Sequence, residues 1–392
     1  FGRIFKGAMK VCFVSHSAAK GGAERALLEL LETLKDRGVE CYVLLPSDGP
    51  LCDDLRMLGV DHYVLPYKQW MSKNSPLWKR MGRIVINLAM IIPVAVKIKK
   101  WGCEVVYTNT ITECIGAFVA FLLRKPHVWH IHEFGYEDHR LIYDLGEKLS
   151  LWLMDKLSAV CIANSHVVAQ KYMKYIPLEK LKTVYQSVSV KPQALDNQVF
   201  PLIESSAKSE IKCIIVGALS EGKRQEDAIR AIDVLVRYKG IKASLLIVGD
   251  GDPKYREYLH NLVTENHLNE YVAFAGYVEN PFPLIQASDV LLMCSENEAF
   301  GRVTIEGMMA GKPVIGARSG GTAELIHDGF NGFLYSLKDY KELAEKIYYL
   351  FEHPSDMRLM GENAKKWAEN RFTKDRYGKE VLNILVELVR KY

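Results

Sequence analysis

The chain has 392 residues, which is too long for one ordinary hydrophobic core and typical of two domains of roughly 200 residues each. Its 49% hydrophobic and 25% charged residues, with a net charge of +4, are those of a globular protein. Eight scattered cysteines without a Cys-x-x-Cys pair argue against a disulfide framework or a zinc site and predict reduced core residues.

The amino-terminal half alternates short β-branched runs with helical stretches. Phe1 to Lys10 has no apolar stretch of signal-peptide length, so we expect a cytoplasmic protein. From there the predicted elements are four strands and one helix. The strands are Val11–Val14, Cys41–Leu45, Val105–Tyr107 and Val128–Ile131, and the helix, between the first two strands, is Ala23–Arg37. This alternation predicts a parallel sheet wrapped by helices.

A basic segment lies between Asp61 and Glu104, a span without any acidic residue. Apolar and aromatic residues alternate there with cations, a composition typical of a segment on an anionic membrane surface, although a solvated loop and helix explain it equally well. No nucleic-acid module accompanies it. The cations are Lys68, Lys73, Lys79, Arg80, Arg83, Lys97, Lys99 and Lys100, and the interleaved residues are Trp70, Met71, Leu77, Trp78 and Met81.

Within the basic segment, Ile84–Val96 is apolar except for Asn87. It is shorter than the roughly 20 residues that a membrane-spanning helix needs. We therefore expect a buried or interfacial helix, and any membrane contact through residues 68–100 should be peripheral, on the inner face of the plasma membrane.

The same rhythm restarts after a polar stretch near Lys191–Lys212, where we place the linker between two domains. The second half is predicted to hold five strands and two helices. The strands are Cys213–Val216, Ser244–Val248, Val272–Phe274, Val290–Met293 and Pro313–Ile315, and the helices are Gln225–Tyr238 and Tyr255–Glu265. A last amphipathic helix is predicted over Asp375–Val389.

Glu298 and Glu306 flank a predicted strand-to-helix turn at Phe300-Gly301, just past Val290–Met293. Ligands of open α/β sheets bind at the carboxyl ends of the strands, so two acids there could hold two hydroxyl-rich groups, such as a sugar and a ribose. The alternative is that both are solvated acids near a helix amino terminus.

The ordered motifs around these acids resemble the carboxyl-terminal signature of the family 4 glycosyltransferases, which are retaining enzymes of the GT-B fold. The matching residues are Glu298-x-Phe300-Gly301, Glu306-Gly307, Ala310-Gly311-x-Pro313-Val314-Ile315 and Gly320-Gly321-x-x-Glu324, and the similarity extends from about Met9 to the C-terminus. The resemblance implies an α/β protein with two doubly wound Rossmann-like domains facing an interdomain cleft. The expected domains are an acceptor-binding domain over 1–195, a nucleotide-sugar domain over 205–374, and a carboxyl-terminal helix over 375–392 that packs back across the first domain.

Lys223 follows a strand and a glycine, Gly217, at a turn into a helix, which is a favourable place for a phosphate. The family usually has Arg directly after that glycine, whereas this chain has Ala218, and Arg224 is a candidate to compensate. Backbone amides of Gly320-Gly321-Thr322 and of Lys20-Gly21-Gly22 could also bind the diphosphate. The alternative for Lys223 is a solvated loop lysine.

Asp250 and Asp252 form an Asp-x-Asp after Gly249, which in another glycosyltransferase fold would indicate a bound metal. Here Lys223 would supply the charge, so we predict a metal-independent enzyme without a cofactor. The stretch lacks the third glycine of a dinucleotide fingerprint, which argues against a dehydrogenase. Tyr277 and Val278 stand where the family cradles the nucleotide base, although Tyr277 could equally belong to the core.

Strand alternation in the run Val128-Trp-His130-Ile-His132-Glu133 places His130 and His132 on one face. They could be metal ligands, but no third ligand is identifiable, and they could also be structural histidines. By resemblance, His132 faces the donor sugar. Asn109 and Asn164, at the ends of the neighbouring strands, are candidate acceptor-binding residues. Gln186-Ser187 departs from the Asn-Gly that the family has there.

Together with these motifs, the resemblance implies a retaining glycosyltransferase that moves a sugar to a hydroxyl of a glycan or lipid-linked glycan in envelope polysaccharide synthesis, and we expect a UDP-sugar as donor more than a GDP-sugar. The predicted catalytic residues are His132, Lys223 and Glu298. The predicted donor-binding residues, largely by resemblance, are Gly21, Gly22, Gly217, Arg224, Gly249, Tyr277, Val278, Phe300, Gly301, Arg302, Val303 and Glu306. The competing hypotheses are a catalytically silent GT-B subunit that binds glycan or a partner enzyme, and a sugar-nucleotide epimerase.

Overall fold

The computed structural model describes residues 8–190 and 210–392, and the chain divides into two compact units. Unit 1 comprises Phe1–Ser187 and Thr373–Tyr392, and unit 2 comprises Val188–Phe372. The predicted linker near Lys191–Lys212 falls almost wholly outside the described residues.

The first unit contains a parallel sheet of seven strands among the described residues, in the order β3-β2-β1-β5-β6-β8-β9. Two further short strands, β4 and β7, form an antiparallel pair. The strands of unit 1 are β1 (Lys10–Ser15), β2 (Glu40–Leu45), β3 (Asp61–Val64), β4 (Met71–Ser72), β5 (Val105–Asn109), β6 (His127–Ile131), β7 (Ile142–Tyr143), β8 (Val160–Ala163) and β9 (Leu181–Thr183).

The helices of unit 1 connect these strands and cover the sheet. They are α1 (Gly22–Asp36), α2 (Pro50–Met57), α3 (Leu77–Trp101), α4 (Ile115–Leu123), α5 (Tyr136–His139), α6 (Glu147–Leu157), α7 (His166–Tyr172) and, from the end of the chain, α15 (Lys374–Lys391). Amphipathic α1 buries Leu27, Leu30 and Leu34, and it ends where Gly38 adopts a positive φ of 80°.

The second unit contains a parallel sheet of six strands in its described part, in the order β12-β11-β10-β13-β14-β15. Its strands are β10 (Glu210–Val216), β11 (Lys242–Val248), β12 (Val272–Gly276), β13 (Val290–Met293), β14 (Val314–Ala317) and β15 (Gly332–Tyr335). Its helices are α8 (Gln225–Asp233), α9 (Pro253–Glu265), α10 (Phe282–Ala287), α11 (Arg302–Met309), α12 (Gly320–Leu325), α13 (Tyr340–Glu352) and α14 (Pro354–Arg371). A short 3₁₀ turn covers Glu221–Lys223, and a π-helical turn, Val234–Tyr238, continues α8.

Both sheets are doubly wound. The chain first adds strands on one side of a central strand, and it later adds further strands on the other side. In unit 1 the reversal lies between β1 and β5, and in unit 2 it lies between β10 and β13. Ligands of such sheets bind at the carboxyl ends of the strands at this point. We therefore expect a ligand-binding site of unit 2 at the loops after β10 and β13.

All eight cysteines are free and buried, as the sequence predicted. The carboxyl-terminal helix α15 packs against α1 and buries Tyr377, Val381, Leu385 and Leu388 in the core of unit 1. Its addition makes unit 1 discontinuous in sequence.

The prediction for Ile84–Val96 was wrong about length, because the flanking residues are helical as well and the apolar run belongs to a helix of 25 residues, α3. Most of the helix is exposed, which contradicts the buried alternative and leaves the interfacial one as a prediction. Within the described residues, α3 is the one helix whose length and composition would suffice to cross a bilayer. In its most apolar stretch of 18 residues, 17% is buried in the protein.

Candidate functional site

In unit 2, the loops that follow three adjacent strands meet at the carboxyl edge of the sheet. The loop after β10 contains Lys223, the loop after β13 contains Glu298, and the loop after β14 leads into Gly320 and Gly321 at the start of α12. Because β10 and β13 flank the reversal of the strand order, the structure places these sequence-predicted residues at the expected ligand edge.

Lys223 and Glu298 form an ion pair. Lys223 Nζ lies 2.5 Å from Glu298 Oε2, and the two side chains are 33% and 17% exposed. Sequence reasoning assigned the lysine to a phosphate and the acid to sugar hydroxyls, but did not predict that they would bind each other. The ion pair orients the ammonium group and the carboxylate, and both stay partly exposed. A ligand can therefore displace one partner and bind the other.

Glu296 joins the three loops. Its amide donates to the Gly222 carbonyl at 2.9 Å, and its carbonyl accepts a hydrogen bond from the Ser319 hydroxyl. Its carboxylate lies 2.7 Å from Lys338 Nζ and 3.4 Å from Arg224 Nη1. Glu296 was not among the predicted site residues, although its position two residues before Glu298 was a signal in the sequence.

Arg224 has a positive φ of 52° and is held mainly by the Asp227 carboxylate. Its Nε and Nη2 donate to the two oxygens of Asp227 at 2.7 and 2.8 Å, while Nη1 lies 3.3 Å from Glu226. The hydrogen bonds with Asp227 raise the pKa of Arg224 above its ordinary value. The guanidinium is thus fixed in the loop, and compensation for Ala218 remains a prediction.

The Gly320-Gly321 pair supports the loop that contains Glu298. The Gly321 amide donates to the Glu298 carbonyl at 2.5 Å, and a Cβ on Gly320 would lie 2.4 Å from that same oxygen. Gly320 also has a positive φ of 53°. The Gly321 amide is therefore already bonded, which corrects the expectation that it would bind a diphosphate, and the close approach explains why glycine is needed.

Gly217 and Gly249 lie where the loops after β10 and β11 touch. A Cβ on Gly249 would lie 1.9 Å from the Gly217 carbonyl oxygen, so only glycine allows this approach. Asp252 accepts hydrogen bonds from the amides of Lys254 and Tyr255 and caps α9. Asp250 lies 2.8 Å from Arg256 Nη1. Both acids of the Asp-x-Asp thus have local structural partners.

Glu306 lies in α11, whose amino terminus begins at the Gly301 cap. Glu306 and Phe300 are buried, and the Phe300 ring packs edge-on against Phe372 with centroids 5.9 Å apart. Arg302 and Val303 occupy the first turn and are half-buried. Phe300 therefore contributes to the core through its ring, and any contact with a donor would come from its backbone.

Tyr277 follows β12 and is 68% exposed, so its alternative assignment to the core was wrong. Val278 is half-buried beside it, and the preceding Gly276 has a positive φ of 68°. This segment lies after β12, the edge strand on the far side of β11 from Lys223.

In unit 1, buried His132 is fixed by side chains from three segments. Its Nε2 lies 2.8 Å from Asn109 Oδ1, and its Nδ1 is bonded to Gln186 Nε2. Because Asn109 Nδ2 donates to the Ala23 carbonyl, its Oδ1 faces the histidine, which assigns the proton to His132 Nε2. Asn164 Nδ2 donates to the His132 carbonyl at 2.9 Å.

The two predicted acceptor-binding residues, Asn109 and Asn164, are buried and both bind His132. The structure therefore assigns them a positioning contact that the sequence did not reveal. Gln186 was passed over because it differs from the family pattern, yet it donates to His132 Nδ1. Its neighbour Ser187 bonds to Glu29 in the same unit.

His130 is fully buried, and its Nδ1 lies 2.7 Å from the Tyr107 hydroxyl. Burial lowers the pKa of His130 to about 3, so this ring is neutral. No group of three potential metal-ligating side chains occurs in the described parts of the chain. Burial also raises the pKa of Glu133, the acid that follows His132, to about 8.

Gly21 and Gly22 form the start of α1 beside buried Glu24. Glu24 accepts a hydrogen bond from Ser17 and lies 3.4 Å from His16 Nε2. A Cβ on Gly21 would lie 2.6 Å from the Glu24 carboxylate. The Glu24 side chain therefore occupies the space that a side chain at position 21 would need. Glu24 was not among the predicted site residues, although it is an acid in the first turn of the helix that follows β1, at the reversal of the strand order.

Two protein-family models match the chain. The model described as "Glycosyl transferases group 1" matches residues 200–367, and the model "Glycosyltransferase Family 4" matches residues 20–191. The two matches lie on unit 2 and unit 1, respectively, apart from residues 188–191.

Several characterised and uncharacterised proteins are similar in sequence. An N-acetyl-alpha-D-glucosaminyl L-malate synthase of Bacillus anthracis is 32% identical over 184 residues, 47% of each chain, so the match spans about half of that enzyme. An uncharacterised glycosyltransferase of Methanocaldococcus jannaschii is 30% identical over 72% of this chain and 73% of its own. A capsular polysaccharide biosynthesis glycosyltransferase, CapM of Staphylococcus aureus, is 24% identical over 66% of this chain and 70% of its own.

Among solved structures, HepE of Anabaena in complex with UDP superimposes with a TM-score of 0.78 at 24% identity. The match covers 97% of this chain and 100% of HepE. HepE has also been solved with UDP-glucose. This likeness shows the fold.

Proposed function

The chain belongs to glycosyltransferase family 4 and has the GT-B fold, and from this premise we propose that it transfers a sugar, with retention of configuration, from a UDP-sugar to a hydroxyl acceptor. The observation that carries the proposal is the Lys223–Glu298 pair at the strand-order reversal of unit 2. There a cation and an acid stand side by side at the ligand edge of a parallel sheet.

Lys223 is proposed to bind the leaving diphosphate, where negative charge grows in the transition state. Glu298 is proposed to accept hydrogen bonds from the sugar hydroxyls, since an ionised carboxylate accepts such bonds strongly. On donor binding, each member of the pair would exchange its protein partner for a part of the same substrate. The exchange leaves neither charge without a partner.

Glu306 is proposed to bind the ribose hydroxyls, and His132 the donor sugar. Both ring nitrogens of His132 are bonded to protein side chains, Nε2 to Asn109 and Nδ1 to Gln186, so a hydrogen bond to the sugar would require the Asn109 contact to be exchanged for a sugar hydroxyl. In that role His132 would act as a donor and not as a general base. We propose a same-face displacement in which the departing phosphate oxygen takes the acceptor proton, as the family resemblance implies.

UDP as the nucleotide is supported by the HepE complexes with UDP and UDP-glucose. An acceptor in envelope polysaccharide synthesis is supported by the relationship to the capsular polysaccharide enzyme of Staphylococcus aureus. Metal independence is supported by the local partners of Asp250 and Asp252, which serve Arg256 and the cap of α9. Lys223 would supply positive charge at the diphosphate.

The first test is thermal denaturation with UDP, GDP, ADP and CMP. A nucleotide at about a hundred times its Kd should stabilise the protein by about 2.7 kcal/mol, and we expect UDP to do so and GDP not. Stabilisation by GDP alone would contradict the UDP assignment.

The second test incubates the protein with UDP-sugars and candidate glycan acceptors and measures UDP release, with excess EDTA in a parallel sample. Release that requires an acceptor supports transfer, and the anomeric coupling of the product in the NMR spectrum reports retention. An epimerised donor without acceptor would indicate an epimerase, and tight UDP binding without any turnover would indicate a silent subunit. Loss of transfer in EDTA that magnesium restores would contradict metal independence.

A further inference from the structure

Helix α3 carries a continuous apolar stripe on its exposed side. Trp78, Met81, Val85, Leu88, Ile92 and Val96 follow one another at intervals of three or four residues, which places them on one face of an α-helix. Each of them is at least 50% exposed, with Trp78 at 70% and Leu88 at 62%. Large contiguous apolar patches are rare on soluble monomers and mark interaction surfaces.

The opposite side of α3 is anchored in unit 1. Val94, Ala95 and Ile98 belong to its hydrophobic core, and Asn87 exchanges two hydrogen bonds with the backbone of Lys68. Arg83 forms an ion pair with buried Asp144. The helix is the crossover between β3 and β5 of one sheet, so its two ends return to the same body. These attachments keep α3 from crossing a bilayer, although its length would suffice.

The two neighbouring helices also expose apolar side chains. Helix α4 packs beside α3 and exposes Phe121 and Leu122, and α6 packs beside α4 and exposes Leu149 and Trp152. We call the exposed apolar side chains of these three helices the apolar face. Tryptophan at the edge of such a face suits the boundary between water and hydrocarbon.

Cations border the apolar face. Lys79, Lys99 and Lys100 are exposed at the two ends of α3, and Arg124 and Lys125 are exposed at the end of α4. Neither α3 nor α4 contains an acidic residue. This combination of an apolar stripe with a cationic border is complementary to a bilayer that contains anionic lipids.

We propose that the apolar face of α3, α4 and α6 docks unit 1 onto an anionic lipid bilayer, with α3 lying in the plane of the interface. A second copy of the chain fits the same surface less well, because a symmetric contact would bring together the five exposed cations of both copies, and Glu147 at the start of α6 is the one exposed acid on these three helices to pair with them. The proposal concerns lipid binding and holds whether or not the transfer reaction is as proposed.

The test is flotation of the whole protein with vesicles of phosphatidylcholine alone or with added phosphatidylglycerol. The wild type should float with the anionic vesicles and much less with the neutral ones. Leu88→Glu combined with Ile92→Glu should reduce the bound fraction at least tenfold, because both side chains would enter the interface. Lys99→Ala with Lys100→Ala should reduce the partition coefficient about fivefold per cation, since each contributes about 1 kcal/mol.

Tyr238→Glu is the matched control, because Tyr238 is 79% exposed but lies in unit 2, and it should bind as the wild type does. Circular dichroism verifies folding, and if the double glutamate variant does not fold, the lysine variant still decides the question. Absence of binding to both vesicle types overturns the proposal, and equal binding to both overturns its anionic part. A wild-type dimer in light scattering that the glutamate variant converts to a monomer, without vesicle binding, would assign the face to a second copy.

Discussion

Replacement of Lys223 by alanine separates two roles that the structure gives to one side chain. Lys223 forms a partly solvated ion pair with Glu298, in which the two side chains are 33% and 17% exposed. Loss of this ion pair should therefore cost about 1 kcal/mol of folding free energy or less. As the group that meets the leaving diphosphate, it should contribute about 3 kcal/mol to the transition state, or a factor of about 10² to 10³ in kcat. The kinetic effect should therefore be much the larger.

The assay compares UDP release and the melting temperature of the Lys223→Ala variant with those of the wild type. We expect kcat to fall at least a hundredfold, while the melting temperature falls by about 2–4 °C. Lys338→Ala is the matched control, because Lys338 pairs with Glu296 at 2.7 Å in the same group of loops and has no proposed contact with the donor. Its kcat should stay within about threefold of the wild type.

Two results would refute this reasoning. One is a Lys223→Ala variant that turns over nearly as fast as the wild type. The other is a Lys338→Ala variant that loses as much activity, since the effect would then follow from the general charge of the loops. Adding Glu298→Gln to Lys223→Ala removes the unpaired carboxylate and should restore part of the affinity for UDP, which calorimetry measures.

Three further predictions concern other residues. Glu306→Ala should weaken UDP binding about tenfold or more, as expected for loss of a hydrogen bond to a charged group, and unchanged calorimetric affinity would exclude ribose binding. Gln186→Leu should leave His132 Nδ1 without its donor and the ring less firmly oriented, so kcat should fall while the calorimetric affinity for UDP stays the same, whereas an unchanged kcat would make Gln186 a packing residue only. Burial raises the pKa of Glu113 to about 8, so the folded state retains a proton that the unfolded state releases, and stability should fall as the pH rises from about 4.5 to 8. In Glu113→Gln, the free energy of unfolding from urea titrations should fall less steeply with pH, by about 1 kcal/mol per pH unit. The same pH dependence in the variant and the wild type would contradict a raised pKa of Glu113.

The sequence predicted the fold well where periodicity was strong. The predicted strand Val290–Met293 matches the observed strand, and the helix predicted to follow the turn at Phe300-Gly301 is α11, which begins at Arg302. The edge strands β3 and β15 were missed, because Asp61–Val64 and Gly332–Tyr335 are short and lack a long β-branched run. Helix α3 was judged by its apolar part alone, whereas its polar ends are helical too.

The site was predictable in its residue types but not in its pairings. Resemblance and turn chemistry identified Lys223 and Glu298, yet their contact depends on how the loops after β10 and β13 converge, which one-dimensional spacing does not contain. The same holds for His132, whose partners Asn109 and Gln186 come from 23 and 54 positions away along the chain. Long-range hydrogen bonds of this kind require the assembled sheet.

The return of α15 to unit 1 dictates an order of events during synthesis. The ribosome must translate the 185 residues of 188–372 between Ser187 and the segment Thr373–Tyr392 that completes the first core. At about 5 to 20 residues per second, the nascent first unit waits roughly 10 to 40 s with the hydrophobic groove along α1 uncovered. The second unit can complete its own core as soon as its last helix leaves the exit tunnel. Unit 1 is therefore translated first, but its core is completed after that of unit 2.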